Sequence, residues 1–79
     1  MNKHILLVMQ WLKDKDSVSQ EELEKNNNET YVTYDTYNAA HAAACFAAAN
    51  WVANAGCWVN KYFEITGEDK NKYLKELEK

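Results

Sequence analysis

The sequence predicts an all-helical single domain over residues 1–79, and three observations carry that expectation. Helix breakers are nearly missing: proline is absent, and glycine occurs only at Gly56 and Gly67. From Tyr34 to Ile65, apolar or aromatic residues recur at alternating steps of three and four, and such a heptad-like repeat draws one stripe along a helix. Evenly spaced strands separated by turn residues are not evident anywhere in the chain.

Taken in order, Lys3 to Lys13 forms a first helix with Ile5, Val8, Met9 and Leu12 on one face, widened by Leu7 and Trp11. Trp11 alone can bury about 200 Å², worth at most about 5 kcal/mol by area. The polar run KDKDS ends this helix. Ser19-Gln20-Glu21-Glu22 then fits a capping box, with Ser19 as N-cap and Glu22 reaching back, and Val18 and Leu23 are spaced for a hydrophobic staple. Tyr31 to Tyr37 has strand propensity, but the chain supplies no second strand to pair with it. The repeat extends backward through Thr30, Asn27 and Leu23. Either a short helix at 19–26 precedes a long one, or a single helix runs from 19 to 66. The expected centrepiece is thus a long Ala- and aromatic-rich helix from about residue 29 to 66, possible from 19 onward, packed by short terminal helices. Gly67 is placed to end it, and Asp69 to cap a last helix with Tyr73, Leu74 and Leu77 turned inward.

The stripe is the candidate interaction surface: Tyr34, Tyr37, His41, Ala44, Ala48, Trp51, Ala55, Trp58 and Tyr62. Beside it runs a second stripe of Ala42, Cys45, Ala49, Val52, Gly56, Val59 and Phe63. A straight helix from Asp35 to Thr66 would be about 48 Å long, against about 30 Å for a compact domain of this size. The terminal helices cover roughly one stripe. Self-association, first of all as a dimer, or a protein partner is therefore expected, in a helical bundle or coiled-coil-like oligomer with a close crossing near Ala42 to Ala49.

Charge and motifs narrow the function classes. Net charge is −3, the pI is near 5.3, and arginine is absent, so nucleic acid is not an expected partner. Mimicry of nucleic acid would require the acids to cluster on one face. The apolar run in MNKHILLVMQW is shorter than a secretory leader needs, so none is expected, and although Ala39 to Val59 is long enough to span a bilayer, His41, Asn50, Asn54 and the weakly apolar alanines argue against a membrane span. Cytoplasm is the expected compartment. Cys45 and Cys57 would lie about 18 Å apart on one helix, beyond disulfide reach unless that helix breaks, and read as small buried residues in a tight interface. His41 and Cys45 have i, i+4 spacing, but two ligands are too few for a metal site. A Cys–His nucleophile lacks an oxyanion turn, and no phosphate-binding glycine loop exists. Glu21, Glu22 and Glu24 serve capping, Glu64, Glu68 and Asp69 mark helix ends, and Asn50, Asn54 and Asn60 read as a solvated polar face. No catalytic, cofactor-binding or metal-ligating residue is expected, and no enzyme.

The segments WLKDKDSVSQEELEKN and WVNKYFEITGEDKNKYLKEL, flanking an alanine-dense helix, resemble small alanine-rich helical proteins encoded by tailed bacteriophages. The resemblance covers most of the chain and carries over no site residues. It implies an accessory product acting in the host cytoplasm by binding and inhibiting or redirecting a host protein or defence complex, such as a CRISPR or restriction system. The alternative it leaves is a structural or scaffolding part in virion assembly.

Overall fold

A computed structural model of the chain describes residues 1–32 and 39–79, without the side chains of Tyr31 and Val32. Helix α1, Lys3–Lys13, starts where the Asn2 side chain accepts from the backbone N–H groups of His4 and Ile5, at 2.9 and 3.2 Å. Its inner face buries Ile5, Val8, Met9 and Trp11. A single 3₁₀ turn, Lys15–Ser17, follows. Helix α2, Gln20–Val32, opens with the expected capping box. Ser19 Oγ accepts from the Glu22 N–H and Glu22 Oε1 accepts from the Ser19 N–H, both at 3.1 Å. Val18 and Leu23 are both buried, as a hydrophobic staple requires.

Helices α3, Ala39–Ala48, and α4, Val52–Thr66, replace the expected long helix. Neither a helix over 29–66 nor one over 19–66 is formed, because the chain breaks between Ala48 and Val52. At the break the Trp51 N–H donates to the Phe46 carbonyl and the Asn50 N–H to the Ala47 carbonyl, both at 2.9 Å. Asn50 has φ 64°, in the left-handed region. These two bonds and that residue make a Schellman cap, and its accompanying apolar contact is Phe46 stacked on Trp51, with ring centroids 5.6 Å apart. Asparagine is the residue after glycine that tolerates this conformation best. Gln20 reinforces the turn: its Nε2 donates to the Ala48 carbonyl at 2.6 Å, and its Oε1 accepts from Asn50 Nδ2 at 2.8 Å.

From this turn the chain folds back, and α3 and α4 form the most extensive helix pair among the described residues. Helix α3 also packs on α1 and α2, which puts it at the centre of the fold. Ala39, Ala40, Ala43, Ala44 and Ala47 are all buried. An alanine methyl contributes only about 0.8 kcal/mol on burial, so their role is geometric. Small side chains let three neighbouring helices approach one slender helix closely, while larger side chains such as Ile5, Val8, Leu23 and Val59 are buried from the elements around it. Cys45 stands opposite the Ala43–Ala47 face of α3, and both cysteines are free and exposed in the single chain, outside its own core.

Gly67, at φ 72°, ends α4 as expected, its N–H donating to the Phe63 carbonyl at 3.0 Å. Asp69 caps α5, Lys70–Leu77, by accepting from the Asn71 N–H at 2.9 Å. The radius of gyration is 11.2 Å and the longest dimension 29 Å, so doubling the chain back at Asn50 removes the mismatch between helix length and domain size.

Replacing Asn50 tests the turn. Asn50→Val should lower unfolding free energy by about 1–2 kcal/mol, the cost of a β-branched residue in the left-handed region, and Asn50→Gly should leave it nearly unchanged. Urea denaturation followed by circular dichroism checks both.

Candidate interaction surface

The seven stripe residues within the described part of the chain differ in burial. Ala44, Ala55 and Tyr62 are buried within the chain's own core, His41, Ala48 and Trp58 are half-buried, and Trp51 is exposed. Tyr34 and Tyr37 lie outside the described residues.

His41 serves as a strut. Thr30 Oγ1 donates to the Asn27 carbonyl at 2.7 Å, so at 3.1 Å from His41 Nδ1 it can only accept, which puts the proton on that nitrogen. The contact ties α2 to α3. His4 does the same between α1 and α2: Asn26 Nδ2 donates to the His4 carbonyl at 3.2 Å, so Asn26 Oδ1 accepts from His4 Nδ1 at 2.7 Å. The inner face of α2 is thus largely polar, with Asn26 and Thr30 buried. Sequence reading missed these pairs because asparagine and threonine at helical spacing look like poor helix formers.

A second polar joint closes the far end of α4. Tyr62 Oη donates to Glu68 Oε2 at 2.5 Å, Tyr73 Oη donates to the other carboxylate oxygen, and the Asn2 N–H donates to Tyr73 Oη at 2.7 Å. Phe63 meets the Tyr73 ring edge-on, with centroids 4.9 Å apart. The phenol of Tyr62, and then that of Tyr73, hold the Glu68 carboxyl below the usual carboxylate range. Burial, and then the hydrogen bond each donates to Glu68, raises both tyrosines. The result is an ionised carboxylate bridging two neutral phenols. It joins α4, α5 and the start of α1, and offers no group poised to exchange protons near neutrality. The signal for it was present in the sequence: two tyrosines on inward helix faces, each needing a hydroxyl partner, with two acids in the loop between them, of which Asp69 is taken by the α5 cap and Glu68 is left.

Large apolar side chains remain exposed along the outer flank of α4, as they do at Met1 and at Leu74 of α5. Trp51 is 58% exposed, Trp58 is half-buried and Ile65 is 61% exposed. They stand seven residues apart, with exposed Asn54 and Lys61 between them at the alternate heptad positions. The line shares Trp51, Trp58 and Ile65 with the expected stripe, whose alternate positions on α4, Ala55 and Tyr62, turn into the core instead. Trp51 is not a loose side chain, since the Schellman turn fixes its backbone and the Phe46 ring supports one face of its indole.

Among the described residues no cluster of three or more His, Cys, Asp or Glu side chains could hold a metal ion, and no helix is long and apolar enough to cross a membrane.

The phenol–carboxylate joint makes stability depend on pH. Glu68 has a lowered pKa in the fold, so its contribution is present above the unfolded carboxyl value, about 4.3, and is lost as pH falls through the folded value. Tyr62 and Tyr73 are raised, so theirs is present below about pH 10 and is lost at higher pH. Glu68→Gln should lower Tm at pH 7 and flatten the acid limb of the Tm–pH curve, as scanning calorimetry would read.

No protein-family model, curated protein or solved structure matches this chain. Its function must accordingly be read from its own surfaces.

Proposed function

We propose that the chain is a small helical interaction protein, not an enzyme, that docks a partner helix along the Trp51–Trp58–Ile65 flank of α4. The observation that carries this reading is Trp51, an indole more than half exposed yet held by a rigid turn and a stacked ring. Leaving so large an apolar side chain in water forgoes burial energy that a partner can recover, and tryptophan is the residue most enriched among interface hot spots. The seven-residue spacing repeats about every 10.5 Å along the helix, which matches the seam of a second helix laid alongside. Rigid presentation adds to affinity because little side-chain freedom is lost on binding.

The partner class follows from the resemblance to phage accessory proteins: a host protein or defence complex, blocked or redirected by occlusion in the host cytoplasm. The folded-back hairpin satisfies most of the apolar surface that had called for a second copy, so a foreign helix is the favoured occupant.

A tagged chain and its Trp51→Ala/Ile65→Lys variant, each used to capture proteins from host lysate, test this reading. A partner retained by the parent should be weakened about 30-fold or more in the variant, equal to roughly 2 kcal/mol at a hot spot, with the helical circular dichroism unchanged. Equal capture by both forms, or dimerisation through this flank in sedimentation, would contradict it. Recovery of the chain in purified virions would favour the scaffolding role.

A further inference from the structure

On the other side of α4 an open groove of about 360 Å³ runs between α1, α4 and α5. We propose that it takes an amphipathic helix of a protein partner, one whose apolar face is bracketed by two carboxylates about seven residues apart. This site is independent of the Trp51 flank.

Three observations converge on it. Its walls are apolar, formed by Met9 and Leu12 of α1 and by Leu74 and Leu77 of α5, with Leu74 42% exposed. Glycine stands in mid-helix at Gly56, where it costs about 1 kcal/mol relative to alanine. A Cβ there would meet nothing within 4 Å, and its φ is not positive, so nothing within the described residues calls for glycine. A bare backbone suits close approach by another backbone. The third observation is charge. The groove is lined by two lysines and no carboxylate, in a chain of net charge −3.

Those lysines mark the two ends. Lys13 Nζ lies 3.4 Å from the Leu77 carbonyl, at the C-terminal end of α5, and Lys70 Nζ lies 2.9 Å from Asn60 Oδ1, at its N-terminal end. Both partners are neutral acceptors, which leaves each ammonium able to meet an incoming anion. Seven residues of helix separate Lys70 from Leu77, about 10.5 Å, and carboxylates at i and i+7 of a partner helix span the same distance. A fatty acid brings a single carboxylate and satisfies one lysine only. A second copy of the chain fits no better: Glu22 and Glu29 on α2, and Asp69 and Glu76 at α5, have the right spacing, but the exposed position three residues on is a lysine in each pair, Lys25 or Lys72.

The probes are two lactam-constrained helical peptides with the same leucine face, carrying either Glu or Gln at the two bracketing positions. Titration by calorimetry should show the Glu peptide binding about tenfold more tightly, with added salt narrowing the gap. Lys13→Gln/Lys70→Gln should reduce the Glu peptide to the affinity of the Gln peptide. Gly56→Leu should abolish binding of both while leaving circular dichroism unchanged, and amide shifts on titration should map to Gly56, Leu74 and Leu77. Equal binding of the two peptides overturns the proposal, as does full binding to Gly56→Leu. So does no binding up to about 1 mM, or displacement of the Glu peptide by palmitate. Concentration-dependent dimerisation that Gly56→Leu abolishes would assign the groove to a second copy instead.

Discussion

The left-handed residue Asn50 lets α3 stop and α4 begin within three residues, and the rest of the architecture depends on that reversal. Without it, a heptad stripe from Tyr34 to Ile65 would run down one straight helix too long for its own domain. With it, Ala44 and Ala55 become core residues, the apolar surface of the two halves is spent on each other, and Trp51 is left at the apex. The turn is fixed by backbone bonds to Phe46 and Ala47, by the Phe46–Trp51 stack and by Gln20 at the start of α2. One cap therefore links the core of the molecule to its most exposed aromatic residue.

The contrast between α3 and its neighbours explains how so small a chain closes a core. A central helix carrying only methyl groups on its contact faces costs little volume, and larger side chains from the surrounding helices fill the space around it. Specificity comes from polar pairs rather than from alanine, which packs equally well at many registers. His4 with Asn26 and His41 with Thr30 fix α2 against α1 and α3, and Glu68 with its two tyrosines fixes α5. A slip of one residue along any of these helices would leave buried polar groups without partners, a penalty of about 1–3 kcal/mol each.

Local chemistry was legible in the sequence wherever a residue type had one job. The Ser19–Glu22 box, the Val18–Leu23 staple, the Gly67 stop and the Asp69 cap all followed from side chains that satisfy helix ends, and the bounds of α1 from its apolar period and the polar run after it. The phase of α3 was not legible. In AAHAAACFAAA nearly every position is a methyl group, so no periodic contrast distinguishes the buried Ala43, Ala44 and Ala47 from the half-buried Ala48 or the exposed Ala49. Asn50 was equally silent, because asparagine serves a solvated face and a left-handed cap alike, and only the fold decides between them. On α4, where tryptophan, valine and tyrosine restore contrast, the expected residues Ala55 and Tyr62 are indeed inward, and Trp51 and Ile65 remain outside.

The reversal at Asn50 is tested most directly by the distance between spin labels placed by Ala42→Cys and Glu64→Cys, in a chain whose native Cys45 and Cys57 are changed to Ser. The hairpin predicts a separation below about 20 Å, set by the spacing of two packed helices and a small axial offset. A distribution centred near 33 Å, the rise of one unbroken helix across those residues, would contradict it.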